Sequence, residues 1–274
     1  MRVAIVQVCS SDDLDRNLAH AEAGIREAAE RGAHFVALPE NFAYMRREGG
    51  RFPCVQGPDG EIVRALRGWA AQNAVWLLGG TFPEAIPGAA ADDARVHNTS
   101  ILVAPDGREV ARYRKIHLFD VRLGPRPEDA YRESTWFAPG DAVVVAPTDF
   151  GPVGLSICYD LRFPELYRAL VDRGARWLVV PSAFTPETGK DHWEVLLRAR
   201  AIESQCYVIA PAQCGRHAPD RASHGRSLVI DPWGLVLAQA GDEPKVLVAD
   251  CPTEAVDRVR ERVPALTHRR LPAS

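Results

Sequence analysis

Short apolar runs recur along this chain and are separated by segments of mixed polarity. Several runs are continuous blocks of Val, Ile and Leu, which are too short for buried helices and are typical of strands covered on both faces. The runs that predict strands are Val3–Val8, Phe35–Leu38, Val75–Gly79, Thr99–Val103, Val143–Ala146, Val153–Ile157, Trp177–Val180, Tyr207–Ala210, Leu228–Ile230 and Val246–Ala249.

Apolar residues spaced by three and four positions predict the helices. The first helical pattern starts near Asp12 and ends at Gly32, since glycine commonly terminates a helix. Three further patterns cover about 62–72, 165–173 and 192–204.

The order of these elements indicates the fold class. Strands alternate with helices in the first third, and then follow one another around 75–160, partly as hairpins such as the one at Pro105-Asp106-Gly107. This order predicts an α/β protein with two mixed sheets and helices on the outer faces, a four-layer α-β-β-α sandwich. We expect one domain over residues 1–274. The charged, proline-containing tail from about Pro252 is expected to be loosely packed or to reach a partner subunit.

Composition and charge narrow the possible partners. The chain has 46% hydrophobic and 25% charged residues, as expected of a folded globular protein, and a net charge of −3. The charge gives no basic surface for nucleic acid, so we expect no nucleic-acid partner. No apolar run approaches the ~20 residues of a membrane span, and Met1-Arg2 leads directly into a strand rather than into a signal peptide. We therefore predict a cytoplasmic protein with no membrane partner.

The six cysteines form neither a CxxC pair nor a Cys/His spacing for zinc, so no metal is expected. In a reducing compartment most cysteines are small buried apolar residues. Cys206 and Cys214 flank a predicted strand and receive this structural interpretation. Cys158 differs from them, because it lies between the apolar run Val153–Ile157 and a helix start at Pro164. A nucleophile at such a turn can project from the sheet next to free backbone N–H groups.

Two other strand ends carry unusual polar residues. Glu40 follows the run Phe35–Leu38, and Lys115 lies beside an otherwise apolar patch. A carboxylate, an ammonium group and a thiol are what amide hydrolysis through a thioester requires: a base, an oxyanion stabiliser and a nucleophile. Each residue also has an ordinary interpretation: Glu40 as a helix cap, Lys115 as a surface cation and Cys158 as a core residue.

Three segments considered together resemble the nitrilase-like carbon–nitrogen hydrolase superfamily. They are Leu38–Glu40, Tyr113–Phe119 and Ile157–Glu165, and the resemblance extends over essentially the whole chain. It implies an α-β-β-α sandwich and an enzyme that hydrolyses linear amides without a cofactor.

The resemblance also implies a role for each site residue. Glu40 corresponds to the general base, Lys115 to the oxyanion stabiliser and Cys158 to the nucleophile. Glu133 lies where the family tends to place a second glutamate, which orients the lysine or the water. The backbone N–H of Tyr159 would complete the oxyanion hole.

Within the superfamily, Pro181–Gly189, His192–Gln205 and Ala212–His217 resemble the branch of the deaminated glutathione amidases. Members of this branch release 2-oxoglutarate and Cys-Gly from the α-keto analogue of glutathione. ω-Amidases, which act on 2-oxoglutaramate and 2-oxosuccinamate, and N-carbamoyl hydrolases remain alternatives in the same class. A non-catalytic scaffold with a redox-sensing cysteine is an alternative from another class. A dinucleotide-dependent enzyme is poorly supported, because Gly79-Gly80 is not part of a GxGxxG motif.

The substrate of such an amidase would be a small anionic amide. Its candidate binding residues are Phe184, Thr185 and Thr188, together with arginines near the expected entrance that match carboxylates with a two-pronged hydrogen bond. Those arginines are Arg162, Arg122 and Arg126. We also expect a homodimer or a higher homo-oligomer.

Overall fold

The computed structural model describes residues 1–47, 52–89, 94–126 and 130–271. Its strands follow the predicted order and include several that the apolar runs did not indicate. In chain order they are β1 (Arg2–Gln7), β2 (Phe35–Ala37), β3 (Trp76–Leu78), β4 (Phe82–Ala85), β5 (Val96–Val103), β6 (Glu109–Arg114), β7 (Asp120–Arg122), β8 (Ala130–Arg132), β9 (Val145–Ala146), β10 (Val153–Leu155), β11 (Trp177–Val179), β12 (Tyr207–Ala210), β13 (Cys214–Ala218), β14 (Arg221–His224), β15 (Leu228–Ile230), β16 (Val236–Gln239) and β17 (Lys245–Asp250).

The helices match the four predicted periodic segments and add one at the end of the chain. The helices of two turns or more are α1 (Leu14–Glu30), α2 (Glu61–Asn73), α3 (Pro164–Asp172), α4 (Glu194–Ser204) and α5 (Ala255–Arg262), and a short helical turn, Pro186–Thr188, and a π-helical segment, Gly189–Trp193, lead into α4. The side chain of Asp13 caps α1 by accepting a hydrogen bond from the backbone of Arg16 at 3.1 Å. Pro164 occupies the first turn of α3, where its missing N–H costs nothing.

Two mixed sheets form the centre of the molecule. The first has the order β17-β1-β2-β3-β5-β4, with β6 paired to β5, and the second has the order β16-β15-β12-β11-β10-β9. In each sheet three neighbouring strands are parallel: β1, β2 and β3 in the first, and β10, β11 and β12 in the second. Two separate hairpins, β7–β8 and β13–β14, lie outside these sheets.

The alternation of side chains along β1 shows how the layers stack. Val3 and Ile5 belong to the apolar cluster that also contains β10 and β11, whereas Ala4 and Val6 belong to the cluster that contains α1 and α2. Helices α3 and α4 pack on the second sheet. The predicted α-β-β-α sandwich is therefore confirmed.

One glycine sets the distance between α1 and the first sheet. A Cβ atom at Gly24 would lie 2.3 Å from Cγ1 of Val6, well inside van der Waals contact. The helix can approach β1 this closely only because residue 24 has no side chain.

The hairpin turn predicted at residues 105–107 is present in the structure. Pro105-Asp106-Gly107 connects β5 to β6, and Gly107 has a φ of 83° there. The tail from Pro252, expected either to be loosely packed or to reach a partner subunit, forms a helix and packs on the domain in its first part. Helix α5 buries Val256 completely, and Asp257 forms an ion pair with Arg176 at 2.7 Å. One buried valine per two turns is too weak an apolar pattern to stand out in a charged segment.

Candidate active site

Glu40 lies immediately beyond β2 and is 3% exposed. Its Oε2 accepts a hydrogen bond from the backbone N–H of Ala183 at 2.9 Å. Its Oε1 accepts hydrogen bonds from Nδ2 of Asn98 at 2.9 Å and from Nζ of Lys115 at 3.0 Å. The side chain of Gln213 also binds the backbone carbonyl of Glu40 at 3.0 Å. The carboxylate is therefore held by three donors from three parts of the chain, and this fixes its orientation.

Lys115 follows β6 directly and is 2% exposed. Besides Glu40, its ammonium group contacts both carboxylate oxygens of Glu133 at 2.9 Å. Burial alone lowers the pKa of Lys115, but the negative charges of Glu133 and Glu40 outweigh burial and raise the pKa well above its ordinary value. The lysine therefore stays positively charged in a site that excludes water.

Glu133 begins a 3₁₀ turn, Glu133–Thr135, after strand β8. One of its oxygens accepts a 2.6 Å hydrogen bond from the backbone N–H of Phe119. The hairpin β7–β8 thus places the carboxylate of Glu133 against Lys115, and this carboxylate holds the ammonium group in position.

Cys158 is buried at the end of the segment that leaves β10. Its φ is 48°, in the left-handed region that residues other than glycine seldom adopt, and its backbone N–H donates to the carbonyl of Pro181 at 3.0 Å. Burial, followed by the charge of Glu40, raises the pKa of the thiol well above its ordinary value, although Lys115 acts in the opposite direction. This direction favours the protonated thiol over the thiolate.

Asp160 connects the cysteine turn to the segment that carries Lys115. This fully buried carboxylate accepts from the backbone of Ile157 at 2.8 Å and from the Tyr113 hydroxyl at 2.7 Å. It also contacts His117 through the backbone N–H at 3.0 Å and through Nδ1 at 2.7 Å. These contacts lock the position of Cys158 relative to that of Lys115.

A cleft that encloses about 750 Å³ of space, counted together with its opening to solvent, lies above these groups. Its walls combine the catalytic candidates with aromatic and cationic side chains. The lining residues are Glu40, Asn41, Arg46, Phe52, Lys115, Phe119, Tyr131, Arg132, Glu133, Phe137, Cys158, Tyr159, Ala183, Phe184, Thr185, Thr188 and Arg221.

The structure brings most of the residues predicted from the sequence to this cleft, including Tyr159, Phe184, Thr185 and Thr188. Arg162 lies elsewhere. Its guanidinium group is 5.8 Å from the ring centre of Tyr159 and 5.5 Å from that of Phe184, and the group contacts His192 at 3.2 Å. Arg162 thus packs behind two lining residues.

Neither Arg122 nor Arg126 lines the described part of the cleft. Their loop continues into residues 127–129, which lie outside the described residues. Whether either arginine contacts the substrate stays an untested prediction.

Sequence reasoning missed two groups of residues. One is the cations Arg46, Arg132 and Arg221, which line the cleft from separate parts of the chain. The other is Asn98, a buried amide in strand β5. Asn98 stands in a row of four polar residues, 97–100, and nothing local distinguished it from an exposed strand residue or the arginines from surface cations.

No helix within the described ranges is long and apolar enough to cross a membrane. All six cysteines are free, and Cys206 and Cys214 are fully buried, which agrees with their structural interpretation.

Comparisons with known proteins agree with this geometry. The family model described as carbon-nitrogen hydrolase matches residues 2–261. A curated relative from Synechocystis, named deaminated glutathione amidase, is 45% identical over 97% of each chain. Among solved structures, Nit3 of Saccharomyces cerevisiae, described as a member of branch 10 of the nitrilase superfamily, has a TM-score of 0.85. It is 31% identical and covers 96% of this chain and 94% of its own.

A second solved structure is a glutamate-to-glutamine mutant of an amidase from Nesterenkonia sp. AN1. It has a TM-score of 0.74 at 28% identity, covering 96% of this chain and 98% of its own. In that amidase, acrylamide has undergone Michael addition at the active site cysteine.

Proposed function

The chain belongs to the carbon–nitrogen hydrolase family, and from this premise we propose that it is an amidase that forms a thioester on Cys158. The observation that carries the proposal is the cluster of Glu40, Lys115 and Glu133 beside the buried thiol. A core cysteine needs neither a charged base nor a buried ammonium group, so the cluster argues against the scaffold alternative.

The proposed acylation starts with transfer of the thiol proton to Glu40 while sulfur bonds to the amide carbon. The negative charge then develops on the amide oxygen next to Lys115 and, in our proposal, the backbone N–H of Tyr159. Glu40 returns its proton to the amide nitrogen as the carbon–nitrogen bond breaks, and the amine leaves.

Deacylation repeats these steps with water. Glu40 accepts a proton from the water as its oxygen attacks the thioester carbon, and the carbon–sulfur bond then breaks. The thiol regains its proton and the acid product leaves. Glu133 takes no proton in this scheme and holds Lys115 in place through both steps.

We propose deaminated glutathione as the substrate, with 2-oxoglutarate and Cys-Gly as the products of its reaction with water. The support is the name of the Synechocystis relative, which is 45% identical over nearly the whole of both chains. The cleft also offers both apolar and cationic walls to a substrate of this length.

Intact-mass spectrometry during turnover of deaminated glutathione tests the mechanism. An acyl adduct on Cys158 is expected, and a chain that turns over substrate without a cysteine adduct, even after rapid quenching, would contradict the thioester. The ratio of kcat/KM for deaminated glutathione to that for 2-oxoglutaramate tests the substrate, and a preference for 2-oxoglutaramate would favour an ω-amidase.

A cytoplasmic homo-oligomer remains part of the proposal. Six free thiols fit a reducing compartment. The exposed apolar side chains Val195 and Ile202 on α4, and Trp233 and Leu235 next to β16, fit a face that is covered by a second copy. A single domain over residues 1–274 is supported by an apolar cluster that both sheets share.

A further inference from the structure

Strand β5 brings one amide side chain against both carboxylates of the site. Nδ2 of Asn98 donates to Oε1 of Glu40 at 2.9 Å and also lies 3.4 Å from Oε1 of Glu133. The backbone carbonyl of Asn98 accepts the N–H of Lys115 at 2.9 Å. Asn98 is 2% exposed and lies outside the described lining of the cleft. It therefore contacts the base, the cation and the second carboxylate from behind.

The donor end of this amide sets its orientation. Among the described residues, no protein donor meets the buried Oδ1 of Asn98. Nδ2 instead meets one oxygen of each carboxylate, through a shorter and a longer hydrogen bond. All the side-chain hydrogen bonds that Asn98 makes in this part of the chain are therefore directed to Glu40 and Glu133.

The two carboxylates need more than one donor between them. Their Oε1 atoms share Nζ of Lys115, at 3.0 Å for Glu40 and 2.9 Å for Glu133, and they share Nδ2 of Asn98. One ammonium group balances the charge of only one carboxylate, and like charges this close favour protonation of one of them. A hydrogen bond donated to an ionised carboxylate favours the ionised form. Asn98 supplies this second donor without adding a charge.

The same hydrogen bond determines which oxygen of Glu40 is free to take a proton. A carboxylate oxygen accepts about two hydrogen bonds or protons. Oε1 already accepts two, from Nζ of Lys115 and Nδ2 of Asn98. Oε2 accepts one, from the backbone N–H of Ala183, which leaves its second position for the thiol proton of Cys158.

We propose that Asn98 is a positioning residue of the amidase, which bridges the two carboxylates so that Glu40 stays ionised and takes the thiol proton on Oε2. This inference rests on the proposed function and adds a residue to that same site. Asn98 acts through Glu40 and Glu133 and not on the reacting atoms.

The pH dependence of kcat/KM is the readout, since its acidic limb reports the protonation of the base in the free enzyme. Several other charged or titratable groups of the described chain also face Glu40. They are Lys115, Glu133 and Cys158 next to it, and Arg46, Arg132, Arg221 and two tyrosines along the cleft. All of them remain when only residue 98 is changed, so a shift of the limb between such variants belongs to that residue.

Asn98→Leu removes the donor and nearly keeps the shape of the side chain. The acidic limb should move to higher pH by about one to two pH units, the worth of one hydrogen bond to a charged group. KM should stay near that of wild type, because Asn98 lies outside the described lining of the cleft. Asn98→Asp adds a third carboxylate at the same place and should move the limb further in the same direction.

Ser100→Ala is the matched control. Ser100 lies two residues further along β5, on the same face of the strand, and is 1% exposed. Its hydroxyl has no hydrogen-bond partner among the described residues, so the limb should stay where it is in wild type. A second comparison uses Glu133→Gln as the background. The shift caused by Asn98→Leu should be smaller there, because only one carboxylate remains to be bridged.

An acidic limb at the same pH in wild type and in folded Asn98→Leu would overturn the inference while leaving the amidase mechanism intact. A shift of equal size with and without the carboxylate of Glu133 would overturn the bridging role. If Asn98→Leu does not fold, Asn98→Ser replaces it, since a single hydroxyl proton cannot bridge two carboxylates. A wild-type enzyme that forms no acyl adduct during turnover would instead overturn the proposed function itself.

Discussion

Strands β5 and β6 carry two buried charge clusters on opposite sides of the same sheet. The cluster that we propose to be catalytic, called the catalytic cluster here, consists of Glu40, Lys115 and Glu133, and the structural cluster consists of Glu84, Arg112 and Arg114. Both clusters bury a carboxylate against cations within 3.0 Å, yet only the first faces the cleft. The comparison distinguishes the effect of a buried charge on the stability of the fold from its effect on the reactivity of the site.

The alternation of side chains along a strand keeps the two clusters apart. On β5, Asn98 binds Glu40 while the next residue, Thr99, binds Glu84 at 2.8 Å. At the end of β6, Arg114 binds Glu84 while Lys115 binds Glu40. Consecutive residues therefore serve opposite faces, as the period of two requires.

The two clusters differ in how many cations contact each carboxylate. One carboxylate meets two guanidinium groups in the structural cluster. Burial alone raises the pKa of Glu84, but hydrogen bonds from Arg114 and Thr99 and the charges of both arginines outweigh it and lower the pKa. In the catalytic cluster two carboxylates share one ammonium group, which leaves one negative charge in excess beside the thiol. Two guanidinium groups keep Glu84 ionised, whereas the carboxylate in excess beside the thiol is, in our proposal, the base for Cys158.

The largest expected effect is loss of the nucleophile. Cys158→Ala should lower kcat for amide hydrolysis by about ten thousandfold or more, because no thioester can form. Cys206→Ala and Cys214→Ala are the matched controls, since both remove a buried thiol away from the cleft and should change mainly the thermal midpoint. Steady-state rates with circular dichroism check both effects, and substantial turnover by Cys158→Ala would refute the mechanism.

The two catalytic glutamates should differ in the step that fails. Glu40→Gln should lower kcat by about a hundred- to ten thousandfold, since an amide cannot accept the thiol proton. Glu133→Gln leaves the base in place but loosens Lys115, which serves both steps, so some acylation should persist while both acylation and breakdown of the thioester slow. Rapid-quench mass spectrometry distinguishes the two variants. Adduct accumulation in Glu40→Gln but not in Glu133→Gln would mean that the roles are reversed.

A substitution in the structural cluster should lower the unfolding free energy and leave kcat unchanged. Glu84→Gln leaves two partly buried arginines short of a counter-charge and should cost about 2 kcal/mol of unfolding free energy, less than a fully buried pair because water reaches both arginines, while kcat per folded molecule stays near that of wild type. Arg112 keeps its contact with Glu109 at 2.8 Å, which limits the loss. Urea unfolding and kcat measured on the same sample test this prediction, and a loss of kcat as large as that of Glu40→Gln would remove the distinction between the clusters.

The pH dependence of this stability follows from the lowered pKa of Glu84. A carboxylate whose folded pKa is depressed contributes stability above its unfolded pKa, near 4.5, and loses the contribution as pH falls through the lower folded pKa. The difference in unfolding free energy between wild type and Glu84→Gln should therefore be full at pH 6 and shrink below about pH 4.5. A difference that grows on acidification would contradict this account.

The sequence predicted one cluster and not the other, for a physical reason. Glu40 and Cys158 follow apolar strands and Lys115 stands next to an apolar patch, but each also had an ordinary interpretation. The resemblance of their three segments to a known family joined them and added Glu133. The sandwich was also predictable, because strands such as β1 and β12 are continuous apolar blocks. Glu84 was not conspicuous, since β4 reads as Phe-Pro-Glu-Ala and its partners lie 28 and 30 residues away.

The cationic wall of the cleft was equally unpredictable. Arg46, Arg132 and Arg221 come from a loop and two polar hairpin strands whose approach depends on tertiary packing. Arg162 adjoins the nucleophile in sequence, but the turn Cys158–Arg162 directs it behind Tyr159 and Phe184. Sequence distance from the nucleophile was therefore a poor guide to which arginine lines the cleft.

The smallest expected effect comes from changing the shape of one cation and keeping its charge. Arg114 binds both oxygens of Glu84 through Nε and Nη2, at 2.8 and 3.1 Å, and its side chain is 36% exposed. Arg114→Lys keeps the charge but loses the fork, so one of the two hydrogen bonds disappears. Because water can reach this side chain, the cost should be about 1 kcal/mol of unfolding free energy.

Urea titrations of Arg114→Lys and Glu84→Gln, singly and combined, measure this cost. If the fork acts only through Glu84, the combined variant should be no less stable than Glu84→Gln alone, whereas strictly additive losses would show that Arg114 stabilises the sheet through other contacts.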